Sequence, residues 1–470
     1  MMGFAALLIA ALLGYFGVRL WLPNDNGRSP WTPALHASLG IGLGLGFTSC
    51  LYFLLLAGGA ANLSVIVGCE LVALCTAGAF VLRRRTASPP GSSPDALPSF
   101  SWNWLAALGL AAMLSLFVAG FANTSDLNPQ GGWDAFAIWN LRARFLIHTE
   151  TWKYAVTGLP VGTHMEYPLL LSSVIARGWV YAGSLSPIVP IATAFVFAVA
   201  LVILLVSTLA LARGASLGLL AGVLLLANPS FVNQAASQYA DLPLAFFFLA
   251  ALALIVLSGE SARPARCLSL AGVFAGFAAW TKNEGTLLLV ALAAALFVSA
   301  WRSAGWRAAA RQSGIFLLGA LPGLLLVLWF KVALAPPDPL AGQMTVNLGQ
   351  KLAHAGRWFQ VAGGFLKQAW ELYIFPGPPL ALLAVTCVVL RLRPRHEPSL
   401  APLLAILIVL AGYFAIFLAT KDDLEWLFAT ALDRLYMHVW PALVLAVFLL
   451  LRRPEDFAVT SSPAKAKRAR

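Results

Sequence analysis

Apolar runs long enough to cross a bilayer recur along almost the whole chain. They read at 3–22, 37–59, 61–82, 104–122, 188–212, 215–229, 236–257, 267–280, 285–301, 314–335, 376–390, 401–419 and 435–451. A helix of about 20 residues rises roughly 30 Å, the thickness of the hydrocarbon layer. Runs of that length exclude a soluble globular fold, and the composition agrees: 60% hydrophobic, 11% charged and a mean hydropathy of +0.82. Soluble domains carry about 25% charged residues. The expected fold is an all-α polytopic membrane protein with about 13 transmembrane helices and extracytoplasmic juxtamembrane helices, because a helix satisfies its own backbone in lipid.

The net charge of +12 is compatible with nucleic acid binding or with basic cytoplasmic loops, and placement along the chain separates the two. Alternation through these spans puts Arg19, Arg28, Arg83–Arg85, Arg213, Arg263, Arg266, Arg302, Arg307, Arg311, Arg391, Arg393, Arg395, Arg452, Arg453 and the tail cations on one side. The basic residues are spread over short loops and a tail, not gathered on one surface, so no nucleic acid partner is expected. The basic side is expected to be cytoplasmic, in a multi-pass inner membrane protein. Residues 1–22 lack a basic leading segment and a cleavage site, and read as the first span. Cys50, Cys69, Cys75, Cys267 and Cys387 are scattered singly, which predicts neither a disulfide framework nor a zinc site.

The domain reading follows. Residues 1–82 form three N-terminal helices and 83–103 a Pro/Ser-rich cytoplasmic linker. A core at 104–301 includes the long outer loop 123–187. A C-terminal membrane region at 302–452 includes the outer loop 336–375, where amphipathic spacing around Lys351, Arg357 and Lys367 predicts interfacial helices. Residues 453–470 are a basic tail. Tyr167–Ala182 is short and carries Arg177 in its middle, so it is read as a partly buried or re-entrant helix and not as a span.

Ionisable residues recur where apolar helices begin or end on the outer side: Asp134, Glu166, Asp241, Lys282, Glu284, Asp433 and Arg434. At such depths a charge must be paired or solvated by a cavity, so a site is the default reading. Carboxylates beside cations suit a proton acceptor that faces a bound anion.

The order of the motifs resembles a known family. Trp133-Asp134 opens the first outer loop ahead of an Arg-bearing segment, and Glu166-Tyr167-Pro168-Leu169 follows. Asp241-Leu242-Pro243-Leu244 and Thr281-Lys282 with Gly285 complete the set. Together, over residues 104–300, they resemble the GT-C glycosyltransferases, membrane enzymes that use polyprenyl-phosphate sugars and include the protein O-mannosyltransferases and the lipid A aminoarabinose transferases. The resemblance implies an inverting glycosyltransferase with a polyprenyl-phosphate-linked donor and a lipid, glycan or protein acceptor, working on the extracytoplasmic face. It makes Asp134 the catalytic base and leaves a divalent metal open as a cofactor. Two departures stand out: the family's Asp-Glu pair is Asp134-Ala135 here, and its Pro-Pro is a lone Pro168.

Each candidate has a plainer reading. Asp134 stands where an N-cap would, before AFAIWNLRARFL. Asp126 is the competing base, in a stretch that reads as a turn. Arg142 and Arg144, two apart, cannot share a helix face, so one is expected to face the site and the other the headgroups. Glu166 and Tyr167 are expected to bind substrate, with an interfacial acid paired to an Arg as the alternative for Glu166. Asp241 binds substrate or caps the helix that begins at Leu242. Lys282, with Glu284 beside it, grips a phosphate or snorkels to headgroups. Arg434 offers bidentate phosphate contact or pairs with Asp433 or Asp422. His164 and His438 are possible metal ligands, though interfacial polar roles are commoner. Glu70 is expected to face the bundle and bond locally. A transporter or flippase of a lipid-linked glycan is the alternative function, and it predicts repeated halves and midplane charges. A structural envelope subunit predicts no such cluster.

Overall fold

The computed structural model describes residues 2–22, 29–86, 103–160, 162–338, 347–371, 379–393 and 400–460. The linker at 87–102, the tail from 461, 339–346 and 372–375 of the second outer loop, and 376–378 of the span expected at 376–390 lie outside the described residues. What is described is helical, with no strand and one isolated bridge between Leu392 and Leu451. The chain runs through α1 (Met2–Trp21), α2 (Trp31–Ala57), α3 (Leu63–Thr86), α4 (Asn103–Leu127), a π-helical turn (Ala135–Trp139), α5 (Asn140–Leu146), α6 (Tyr154–Thr157) and α7 (Leu170–Ala182). It continues through α8 (Ile188–Arg213), α9 (Ala215–Leu226), α10 (Pro229–Ala236), α11 (Asp241–Ser258), α12 (Pro264–Thr281) and α13 (Asn283–Ala333). It ends with α14 (Leu348–Ala353), α15 (Ala355–Glu371), α16 (Pro379–Leu390), α17 (Leu400–Ala419), α18 (Leu424–Thr430), α19 (Leu432–Leu450) and α20 (Pro454–Thr460).

Nine helices among the described residues are long and apolar enough to cross a membrane: α1, α2, α3, α4, α8, α11, α13, α17 and α19. The protein is thus a polytopic all-α membrane protein, but the expected 13 spans are not reproduced one for one. The run at 215–229 is a pair of helices, α9 and α10, bent by 68°. α12 is diluted by Pro264, Arg266 and its glycines, and α16 has only 12 described residues. The runs at 285–301 and 314–335 are two helical halves of α13 on either side of a break at Gly305, whose φ of 81° and ψ of 173° are outside helical space. Both halves of α13 pack on α12, Gly285 against Ala278 and Gly319 against Ser269, so the chain reverses at Gly305. Glycine adopts that positive φ without the Cβ clash other residues meet.

Helix α11 is apolar all round and buried from Asp241 to Ile255, as a central helix must be. It packs against α2, α8, α12 and α19. Helices α3 and α4 are the converse, with only 17% and 11% of their apolar windows buried, and their exposed Leu, Val and Phe side chains suit lipid. Helix α7 lies inside the bundle, and Arg177 in its middle is fully buried. Its guanidinium takes both oxygens of Glu70 on α3, at 2.5 and 2.6 Å, and donates to the Ala6 carbonyl; Tyr181 donates to Glu70 at 2.5 Å. Glu70 therefore faces the bundle as expected, but its partners are 107 and 111 residues away. Breaking such a pair strands a charge, so Glu70→Gln should destabilise by about 3 kcal/mol, the low end for buried pairs because Gln still accepts a hydrogen bond. Thermal unfolding in detergent measures this, and Glu70→Leu combined with Arg177→Met should recover most of the loss.

The bundle has two chemically different ends. At one end Arg213 donates to the Leu451 carbonyl at 2.6 Å, Ser216 bonds Glu455, and the Arg391 and Arg452 backbones pair. At the other end the starts of α11, α13 and α19 meet the ends of α12 and α13 and the loop between α4 and α7.

Candidate functional site

Asp241 is the first residue of α11, and Ala240, not Asp241, occupies the N-cap. Its carboxylate, fully buried, turns away from the backbone to three side chains. Lys282 Nζ lies 3.0 Å from Oδ1, Arg434 Nε and Nη2 lie 3.0 and 2.8 Å from Oδ2, and His438 Nε2 lies 2.6 Å from Oδ1. The capping alternative for Asp241 is thereby replaced by ion pairing. Arg434 extends the array by placing Nη1 at 2.7 Å from Asp134 Oδ2, and Lys282 extends it by pairing with Glu284 at 2.9 Å. Acid and base alternate in the order Asp134, Arg434, Asp241, Lys282, Glu284.

The alternation is anchored by what surrounds it. Asp134 stands at the N-cap position of the π-helical turn, yet its side chain makes no capping hydrogen bond. Gly131 and Gly132 bring it there. Gly131 has a φ of +76°, and a Cβ on Gly132 would lie 2.4 Å from the Tyr239 hydroxyl. That close approach seats Tyr239 under Arg434, whose Cζ lies 4.6 Å from the ring centroid, a cation–π distance. Arg434 thus has partners other than the expected Asp433 and Asp422: Asp433 accepts from Gln234 and Asp422 from Thr420. On the far side of Asp241, His438 Nδ1 lies 2.9 Å from the buried Tyr413 hydroxyl. A carboxylate at Nε2 requires that nitrogen to donate, so neutral His438 carries its proton on Nε2 and accepts from Tyr413 at Nδ1.

The loop ahead of α7 supplies the other wall. Tyr167 stacks between His164 at 4.6 Å and Trp139 at 5.7 Å, and Lys282 Nζ lies 5.9 Å from its centroid. Burial, with the carboxylates Glu284 and Glu166 nearby, raises the Tyr167 phenol well above its ordinary range, so it stays protonated. Glu166 accepts from His164 Nδ1 at 2.9 Å. Burial pushes the Glu166 carboxyl up, but the hydrogen bonds from His164 and the backbone, with the charge of Arg142, outweigh it and hold the group below its usual range. Burial likewise opposes the charge on Lys282, and Asp241 and Glu284 more than offset it, so the ammonium is held charged.

Three of the candidates lie outside the array. Arg142, expected among the substrate-binding residues, is wholly buried and spends its guanidinium on the carbonyls of Ala155, His164 and Met165, at 3.0, 3.1 and 3.1 Å, clamping the loop that carries Glu166 and Tyr167. Arg144 is exposed, as helical spacing two residues from a buried Arg142 requires. Asp126 sits exposed on the last turn of α4 and joins none of the cluster's contacts among the described residues.

Sequence reasoning missed Lys331. At the end of α13 it donates to the Glu166 carbonyl at 2.6 Å and to Asn283 Oδ1 at 2.7 Å, which ties the two walls together. A lone lysine closing an apolar run was the available signal. As for a divalent metal, no group of three or more His, Cys, Asp or Glu able to hold one occurs among the described residues. His164 has only Glu166, and His438 is committed to Asp241 and Tyr413, so the donor set does not fit a metal held by side chains. No family model matches the chain, and neither the curated proteins nor the solved structures yield a match.

Proposed function

We propose that the chain is an inverting glycosyltransferase that takes a sugar from a polyprenyl-phosphate carrier and passes it to an acceptor hydroxyl. The observation that carries this reading is the alternation of Asp134, Arg434, Asp241, Lys282 and Glu284 at one end of the bundle. Transfer with inversion needs a carboxylate to accept the hydroxyl proton and cations to receive the phosphate. Asp134 suits the first task because its side chain is 21% exposed, whereas that of Asp241 is 0% exposed and already faces three partners. Asp241 instead positions Lys282 and Arg434.

The five groups sum to one negative charge, so a phosphate is not drawn to bare cations; it must exchange with a carboxylate. Arg434 is the group to exchange, since it bridges Asp134 and Asp241. A donor phosphate that recruits its Nη1 leaves Asp134 unpaired at the moment an acceptor proton has to be taken. Donor binding and base activation are then one event. Tyr167 and Tyr239 lie within cation–π distance of Lys282 and Arg434, which fixes the two cations beside aromatic rings.

The Glu70 and Arg177 pair is the feature that leans toward a transporter or flippase, since it is a charge pair inside the bundle. Its saturation by Tyr181 and the Ala6 carbonyl suits a structural clamp better than a moving ion. The glycosyltransferase reading requires the purified protein in vesicles to convert a polyprenyl-phosphate sugar to free polyprenyl phosphate. A protein that consumes none of these donors is not this enzyme.

Sidedness follows from the arginines at the opposite end, which the positive-inside rule assigns to the cytoplasm. In a cysteine-free background, Asn128→Cys should react with a membrane-impermeant thiol reagent in intact cells and Pro90→Cys should not. The reverse pattern would overturn the orientation.

A further inference from the structure

We propose that a cleft between α14 and α15, beside the end of α17, binds the anionic headgroup of a membrane phospholipid. The cleft is open and shallow, of about 560 Å³, and is lined by Gln350, Lys351, His354, Gly356, Arg357 and Gln360, with no carboxylate among them. Its two cations are held in place from behind. Lys351 Nζ donates to the Ala419 carbonyl at 2.6 Å, and Arg357 donates to Leu418, Phe417 and Thr420 at 2.7, 2.9 and 2.7 Å. Those carbonyls close the last turn of α17, where no intrahelical donors remain. The bonds use Nε and Nη2 of Arg357 and one N–H of Lys351, so Nη1 and the rest of the ammonium lie outside them.

Depth identifies the occupant. Helix α17 is long and apolar enough to cross the membrane and ends at Ala419, which sets the cleft at headgroup level. Helix α15 fits the same level. Phe365 packs on Phe414, Phe417 and Tyr436, and Trp358 on Phe414. On an adjacent stripe Phe359, Leu366 and Trp370 are 78%, 73% and 69% exposed, spaced i, i+7, i+11. A helix with one face packed on protein and an aromatic stripe outward lies in the membrane interface. A cationic, amide-rimmed cleft beside it is complementary to a lipid phosphate and its glycerol hydroxyls. This inference does not depend on the glycosyltransferase reading.

The test is native mass spectrometry of the full-length protein from detergent micelles doped with phosphatidylglycerol or phosphatidylcholine. Wild type should retain phosphatidylglycerol in preference. Lys351 and Arg357 also hold α17, so the informative variant is Gln360→Glu, which adds a carboxylate to the cleft wall and leaves both clamps in place. Its affinity for phosphatidylglycerol should fall about tenfold, the scale of one charge-assisted contact, with its melting temperature unchanged. Equal retention of the two lipids by wild type, or undiminished retention by Gln360→Glu, would overturn the proposal. Displacement of the lipid by millimolar inorganic phosphate would also overturn it, in favour of a soluble-anion site.

Discussion

Asp241→Leu is expected to be the most destabilising single change at the site. The carboxylate is 0% exposed, and it alone faces Lys282, Arg434 and His438 together. Removing it leaves two neighbouring cations to repel each other, with Asp134 and Glu284 as their remaining partners. Stranding one buried charge costs about 3–5 kcal/mol, and with two cations affected the upper end applies, about 5 kcal/mol. Thermal unfolding in detergent should show this loss even without substrate. The same reasoning makes Lys282→Met and Arg434→Met ambiguous tests of phosphate binding, because each strands Asp241 as well. Arg434→Lys keeps the charge and loses the fork that spans Asp134 and Asp241. It should therefore retain most of the stability while weakening the donor. A stable Asp241→Leu variant would mean that the array carries no structural weight.

The second large effect concerns Asp134. Asp134→Asn keeps the side chain's shape and removes its charge and basicity, so transfer should fall by about 10²–10⁴. Stability should change little, because the Asp134 side chain makes no capping hydrogen bond and is 21% exposed beside Arg434, which keeps Asp241. An architectural role through the ion pair with Arg434 predicts otherwise: Asn and Ala would both lower the melting temperature, and activity would fall only in step with that loss. The outcome therefore separates proton transfer from architecture.

Much of the site was legible because a charge at the end of an apolar run has few fates. Asp134, Asp241, Lys282, Glu284 and Arg434 were singled out on that ground, and the fold brings them into one array. Their pairing was not legible. Arg434 lies 193 residues from Asp241, and sequence offered it the nearer Asp433 and Asp422. Local spacing also promoted Asp134 and Asp241 as caps, since capping is decided within three residues and ion pairing across the bundle. Arg142 shows the limit from the other side: helical spacing distinguished it from Arg144 but could not say that three loop carbonyls would consume it. The all-α membrane class followed directly from apolar length. The number of spans did not, because length alone cannot separate a reversal at Gly305 from a loop, or a bent pair such as α9 and α10 from one helix.

The central claim is that Asp134 takes a proton during sugar transfer from a phosphate carrier. It is tested most directly by timing the release of free polyprenyl phosphate from polyprenyl-phosphate sugars in vesicles holding wild type or Asp134→Asn, each checked for thermal stability. Release by wild type, with a drop of about 10²–10⁴ in an equally stable Asn variant, is the predicted result. Release at the wild-type rate by Asp134→Asn, or no release by wild type from any carrier-linked sugar, would contradict it.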